Sequence, residues 1–232
     1  MGRTPLDSGT RLVLATSNPG KAREFERLLA GAFVVEPLAP GLLLPEERGQ
    51  TFAENARLKA EAVFATLDRQ VAVLADDSGL EVVALGGRPG VFSARYAGDG
   101  ASDAENVARL LSELEGITDR RARFVCALCL VLPVAASAAP SPAGSGELAA
   151  ATSLDASEGA QQIIEVTGTL EGTITMAPRG SRGFGYDPVF QPCGWSITLA
   201  EASPEEKDRV SHRGAAAQAL LERLRAEKLS RR

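Results

Sequence analysis

Apolar and polar positions alternate along this chain in segments that switch repeatedly between strand-like runs and helical stripes. Residues 11–16 form an apolar run of strand length, followed by the turn Ser17-Asn18-Pro19-Gly20 and by Phe25, Leu28 and Leu29 at helical spacing until Gly31. A second strand is expected at residues 33–38, a proline- and glycine-bearing loop at 41–50, and then a long helix. Its opening, Thr51-Phe52-Ala53-Glu54, has the spacing of a capping box, in which the threonine hydroxyl and the glutamate each satisfy a backbone N–H of the first turn. Residues 71–75 read as a short strand ending in Asp76-Asp77-Ser78-Gly79, with residues 80–83 extended before the turn Gly86-Gly87-Arg88-Pro89-Gly90. Ser102-Asp103-Ala104-Glu105 repeats the capping-box pattern ahead of a stripe of Val107, Leu110, Leu111 and Leu114. Residues 122–132 are apolar but for Arg123, as in a buried strand.

The pattern then breaks. Residues 135–162 are rich in Ala, Ser, Pro and Gly and poor in large apolar side chains, so they cannot bury enough surface to order their own backbone and read as an inserted, mobile loop. Strands resume at 163–170 and 172–176. A polar loop at 179–183 leads into Phe184-Gly185-Tyr186-Asp187, Ser203-Pro204 opens a further helix, and Leu220, Leu221 and Leu224 mark a terminal one. Interleaved strands and helices without an internal repeat predict an α/β fold on a mixed sheet.

Length and charge narrow the function. The 232 residues, 44% of them hydrophobic, suffice for one domain, expected over residues 11–232, with the first ten residues a disordered extension. A formal net charge of -5 argues against coating a nucleic acid polymer, since that work leaves a basic excess; an anionic ligand must be held by local cations. No stretch reaches the roughly 18 uninterrupted apolar residues of a membrane helix, and no secretory signal precedes the first strand, so a cytoplasmic location is expected. Of the three cysteines, Cys126 and Cys129 lie three apart in one strand, which directs their thiols to opposite faces and favours core packing over a metal or redox pair.

Three clusters offer chemistry. Thr16, Ser17, Asn18, Pro19, Gly20 and Lys21 form a strand-to-helix loop, where backbone N–H groups and the helix dipole attract phosphate and Lys21 adds a charge; the spacing of a Walker loop is absent. Glu54, Asp76 and Asp77 supply hard oxygen ligands, and two adjacent carboxylates repel each other unless a cation lies between them. The local alternative for Glu54 is its cap. The third cluster comprises Phe184, Gly185, Tyr186 and Asp187 with Lys207, His212 and Arg213: rings able to stack on a base, an acceptor, and cations for phosphate or a ring oxygen. The alternative makes the rings core and the cations surface. Nothing pairs the sole histidine, His212, with a nucleophilic serine or cysteine, so a covalent triad is not indicated.

Taken in order, ATSNPGKAREFERLL, TFAENARLKA, LADDSGLEVVALGGRPGVFSARYAG, RGFGYDPVF and EEKDRVSHRGAA resemble the inosine triphosphate pyrophosphatase family, across residues 12–98 and 169–221. The resemblance implies an elongated mixed β-sheet with flanking helices in two lobes around an active-site cleft, a homodimer, and Mg²⁺-dependent cleavage of ITP, dITP or XTP to the monophosphate and pyrophosphate. Carried over by motif, Thr16 to Lys21 bind the triphosphate, Glu54 and Asp77 hold Mg²⁺, and Asp77 also accepts the proton of the attacking water. Ser78, Phe184 to Asp187, Lys207, His212 and Arg213 contact the purine nucleotide. Asp208 departs from the family, which commonly carries asparagine there, and the 135–162 insertion is longer than its usual connection. The competing readings are a related pyrophosphatase for other modified nucleotides and a nucleotide-binding sensor without turnover.

Overall fold

The first strand–turn–helix forms as its pattern dictates. In the computed structural model, which describes residues 9–134 and 161–230, β1 (Thr10–Leu14) leads into α1 (Pro19–Leu28), then β2 (Phe33–Pro37) and α2 (Phe52–Thr66). β3 (Ala72–Val82), α3 (Asp103–Glu113), β4 (Arg121–Pro133) and β5 (Gln161–Ile174) follow, and β6 (Phe190–Pro192), α4 (Pro204–Val210) and α5 (His212–Ser230) close the chain. Capping boxes open α2, α3 and α4, with Thr51, Ser102 and Ser203 as the caps. Thr10 already belongs to β1, and residues 1–8 of the expected extension lie outside the described residues. The inserted segment falls outside the described residues, apart from Gln161 and Gln162, which start β5.

The sheet order is β2-β1-β3-β4-β5-β6. β1 runs parallel to β2 and β3, whereas β3–β4, β4–β5 and β5–β6 are antiparallel, so the sheet is mixed as expected. Two expectations are corrected. The acids Asp76 and Asp77 do not end a strand: β3 continues to Val82 because β4 pairs with it without a break, Asp76 facing Leu128, Asp77 facing Ala127 and Gly79 facing Val125. Likewise residues 163–170 and 172–176 are not two strands, because β4 pairs with the whole of β5 from Pro133–Gln161 to Arg121–Thr173.

Three apolar clusters show how the sheet is covered. On one face Leu12, Leu74 and Leu128 pack under Phe25 and Leu29 at α1 and under Ala216 and Leu220 of α5. On the opposite face Val13, Val73 and Val131 pack under Ala56, Ala60 and Val63 of α2. Farther along β3 and β4, Leu80, Val82 and Phe124 join Phe190 and the α3 residues Val107 and Leu110. Cys126 and Cys129 lie buried in the first and second of these clusters, on opposite faces as their spacing requires. Between the two ends of the sheet, β3 carries no large apolar side chain from Asp76 to Gly79. That gap is where the polar side chains meet.

Candidate active site

A pleated strand sends successive side chains to opposite faces, and β3 uses this to serve two polar half-clefts. Asp76 and Ser78 point toward α1 and α5; Asp77 points toward α2.

On the α1/α5 side, Lys21 Nζ lies 3.0 Å from Asp76 Oδ2, and Ser78 Oγ donates to that same oxygen at 2.9 Å. Arg213, at the start of α5, donates to Ser78 Oγ at 2.8 Å and to Glu24 Oε2 at 2.9 Å. Lys207 of α4 reaches the other Glu24 oxygen at 2.6 Å and also donates to Asp187 Oδ2. Lys21 and Glu24 stand three apart on α1, so one helical face supplies both a cation and the carboxylate that anchors two others. Burial opposes the charge on Asp76, but Lys21, Arg213 and Lys59 outweigh it and hold the carboxyl at about 2. Burial likewise opposes the charge on Glu24, and Arg213 and Lys207 pull its carboxyl below the usual range.

The Phe184 ring is partly buried, with Lys207 Nζ 4.8 Å and the Arg213 guanidinium 5.0 Å from its centroid. Gly20 permits this approach, since a Cβ there would lie 2.5 Å from the ring. Tyr186, the other ring offered for stacking, is core: it is 4% exposed and its hydroxyl donates to the Ser93 carbonyl at 2.9 Å. In the first loop, Asn18 caps α1 by accepting from the N–H groups of Gly20 and Lys21, and Thr16 Oγ1 accepts from Asn18 N–H. Ser17 and Pro19 are exposed beside them. Asp208 turns away from Lys207 to form a two-pronged pair with Arg27, so the family departure leaves the charge around Lys207 undisturbed.

On the α2 side, Asp77 Oδ2 accepts from Asn55 at 3.0 Å, and Lys59 Nζ stands 3.6 Å from Asp77 Oδ1 and 2.6 Å from Glu47. Burial raises the Asp77 carboxyl above its ordinary value; Lys59 offsets this in part, and Glu47 adds repulsion. Glu54 is exposed, and its Oε2 accepts from the N–H groups of Gln50 and Thr51, the local role its spacing anticipates. The donor chemistry suits a hard divalent ion: Asp77 and Glu47 are carboxylates already arranged around one positive charge, the Lys59 ammonium.

Among the described residues, four buried side-chain polar atoms lack a hydrogen-bond partner: Asp76 Oδ1, both ring nitrogens of His212 and Arg213 Nε. All belong to this cleft. His212 is buried with its ring stacked on Phe124 at 4.6 Å, and burial together with Arg213, Lys207 and Lys21 holds it neutral. Buried polar groups are nearly always paired, so a cluster of unpaired ones in an otherwise satisfied interior marks a place built for a ligand.

Sequence reasoning missed Glu24, Glu47, Asn55 and Lys59. Asn55 and Lys59 had a signal, being polar residues four apart on the helix face that also carries Phe52, Ala56, Ala60 and Val63. Glu24 had the spacing to Lys21. Glu47 lies in an irregular loop, and only the fold brings it to Lys59.

Proteins named dITP/XTP pyrophosphatase from Prochlorococcus marinus and an Exiguobacterium species are each 47% identical to this chain; the first match covers 88% of this chain and 86% of the relative, the second 94% and 96%. The solved structure of the Staphylococcus aureus Ham1 protein aligns with a TM-score of 0.71 at 37% identity, covering 94% of this chain and 100% of that one. A HAM1 protein from Coxiella burnetii aligns at 0.72 and 36% identity, covering 94% and 99%. The Ham1 family model itself matches residues 12–223, which include every cleft residue named above, and the chain belongs to that family.

Proposed function

We propose that this protein hydrolyses deaminated purine nucleoside triphosphates (dITP, ITP and XTP) to the monophosphate and pyrophosphate, removing them from the nucleotide pool. The observation that carries the reading is the set of unpaired polar atoms on Asp76, His212 and Arg213, gathered among Lys21, Lys207 and Ser78 beside Asp77. The names of the relatives supply the substrate class.

A triphosphate carries several negative charges that repel an incoming nucleophile. Lys21, Lys207 and Arg213 hold those charges, each already oriented by a carboxylate. Asp77, with its raised carboxyl, is the stronger base for it and takes a proton from water as the new O–P bond forms at the α-phosphorus and the bridging P–O bond to the leaving pyrophosphate breaks. Asp77 and Glu47 are the residues we assign to Mg²⁺, which when bound neutralises phosphate charge as a Lewis acid; Glu54 keeps its cap. Phe184 stacks on the base. Donors aimed at the 6-oxo group of hypoxanthine or xanthine meet another donor when adenine enters, which leaves buried groups unpaired and rejects it.

The assembly we infer, from the family resemblance, is a cytoplasmic homodimer. Among the described residues no helix is long and apolar enough to cross a membrane.

The test is a panel of dITP, ITP, XTP, dGTP, dATP and dTTP with Mg²⁺ or with EDTA, scoring pyrophosphate against orthophosphate. Pyrophosphate from the first three, abolished by EDTA, is the expected result. Release of orthophosphate, or preference for dTTP, would overturn the reading.

A further inference from the structure

Asp103 has no part in the scheme above, yet it ties down the loop that carries Phe184. It is the exposed first residue of α3, and its Oδ2 accepts the N–H of Gly185 at 2.7 Å across 82 residues of sequence. An acid in the first turn of a helix is ordinarily explained by the dipole and the free N–H groups. Here Ser102 and Glu105 already close a reciprocal capping box at that terminus. The Asp103 carboxylate instead bonds outward, to a different segment.

The loop has other ties within itself and to the core. Tyr186 is anchored in the core through Ser93, and Asp187 is buried, accepting from Lys207 and from the Phe184 N–H at 3.0 Å. The peptide between Phe184 and Gly185 is held from two sides, its carbonyl accepting from the Asp187 N–H at 3.3 Å and its N–H donating to Asp103 of α3, next to the ring that lies beneath Lys207 and Arg213.

We propose that Asp103 is a positioning residue for nucleobase recognition, acting through the Gly185 N–H on the Phe184 ring. This rests on the reading that Phe184 faces the base. With the peptide released, the ring samples orientations that do not stack, and binding of the base weakens while the phosphates and Asp77 stay in place.

Steady-state kinetics with dITP on Asp103→Ala and Asp103→Asn, with a melting curve for each, tests this. Losing one hydrogen bond of ordinary net strength corresponds to a KM raised about three- to tenfold in Asp103→Ala, with kcat within about twofold of wild type. Asp103→Asn keeps an acceptor oxygen and should stay near the wild-type KM. An unchanged KM in Asp103→Ala overturns the proposal, as does an equal rise in Asp103→Asn, which would assign the effect to helix charge. A parallel fall of kcat and Tm would make the residue merely structural. A wild-type protein that turns over no dITP would sink the proposed function and this inference together, whereas normal wild-type turnover with an unaffected Asp103→Ala sinks only the latter.

Discussion

Replacing Asp77 by Asn should separate catalysis from folding, because the same burial that makes this carboxylate a base also makes its charge a cost to the folded state. Burial raises the Asp77 carboxyl above its ordinary value despite Lys59. For an acid this sign means that the folded chain binds the proton more readily than the unfolded one, so stability declines as pH rises from the unfolded value through the folded one, and the ionised group opposes folding at neutral pH. Asparagine has the same shape and leaves Lys59 its pair with Glu47, but its one oxygen replaces only one of the two acceptors that Asp77 offers, Oδ2 to Asn55 and Oδ1 to the Ser78 N–H. What is lost is one accepted hydrogen bond and the Lys59 attraction at 3.6 Å; what is gained is relief of the buried charge, which outweighs that attraction. Loss of one hydrogen bond worth about 1 kcal/mol would lower Tm by about 2–4 °C in a chain of this size, and relief of the buried charge offsets it, so a Tm within about 4 °C of wild type in EDTA is the expected result. Turnover of dITP should fall by about 10²–10⁴, the range supplied by a positioned general base, and further where a metal ligand is lost with it. Undiminished turnover, or a Tm lower by more than about 4 °C, would refute the reasoning.

Glu24→Gln should lower Tm by about 6–12 °C, corresponding to about 3 kcal/mol for removing one partner of a buried ion cluster in which Lys207 keeps Asp187 and Arg213 keeps Ser78. Because the folded Glu24 carboxyl is depressed, its contribution is present above the unfolded value and is lost as pH falls through the folded one; the gap between wild type and Glu24→Gln in melting experiments should therefore close in acid. Gly168→Ala places a Cβ 2.3 Å from His212 O and Ala216 N, so α5 must move off β5; a cost of about 1–3 kcal/mol and a raised KM from the displaced Arg213 are expected, and wild-type values for both would refute the contact.

The parts of the fold legible in the sequence were those written locally. The three capping boxes, the helical stripes and the split of Cys126 and Cys129 between faces follow from residue spacing and formed as expected. The acids of β3 misled because two aspartates before Ser-Gly have the chemistry of a turn; what keeps them in a strand is β4 on one side and three cations around them, Lys21, Lys59 and Arg213, partners drawn from distant segments. Spacing also could not rank Glu54 against Glu47. The cap that engages Glu54 was visible, but Glu47 meets Lys59 only through the path of an irregular loop.

The alternation of β3 has a consequence for how such a cleft can change. The carboxylate that steadies the cations and the one proposed as base are neighbours on one pleated strand, so a single peptide link, with a rise of about 3.4 Å along it, separates the two. However the ends of the sheet flex around a bound molecule, that interval holds. Retuning toward a different base must then be done by the surrounding helices and by the 184–187 loop, while an insertion or deletion within β3 would exchange the two acids between faces and disable both halves at once.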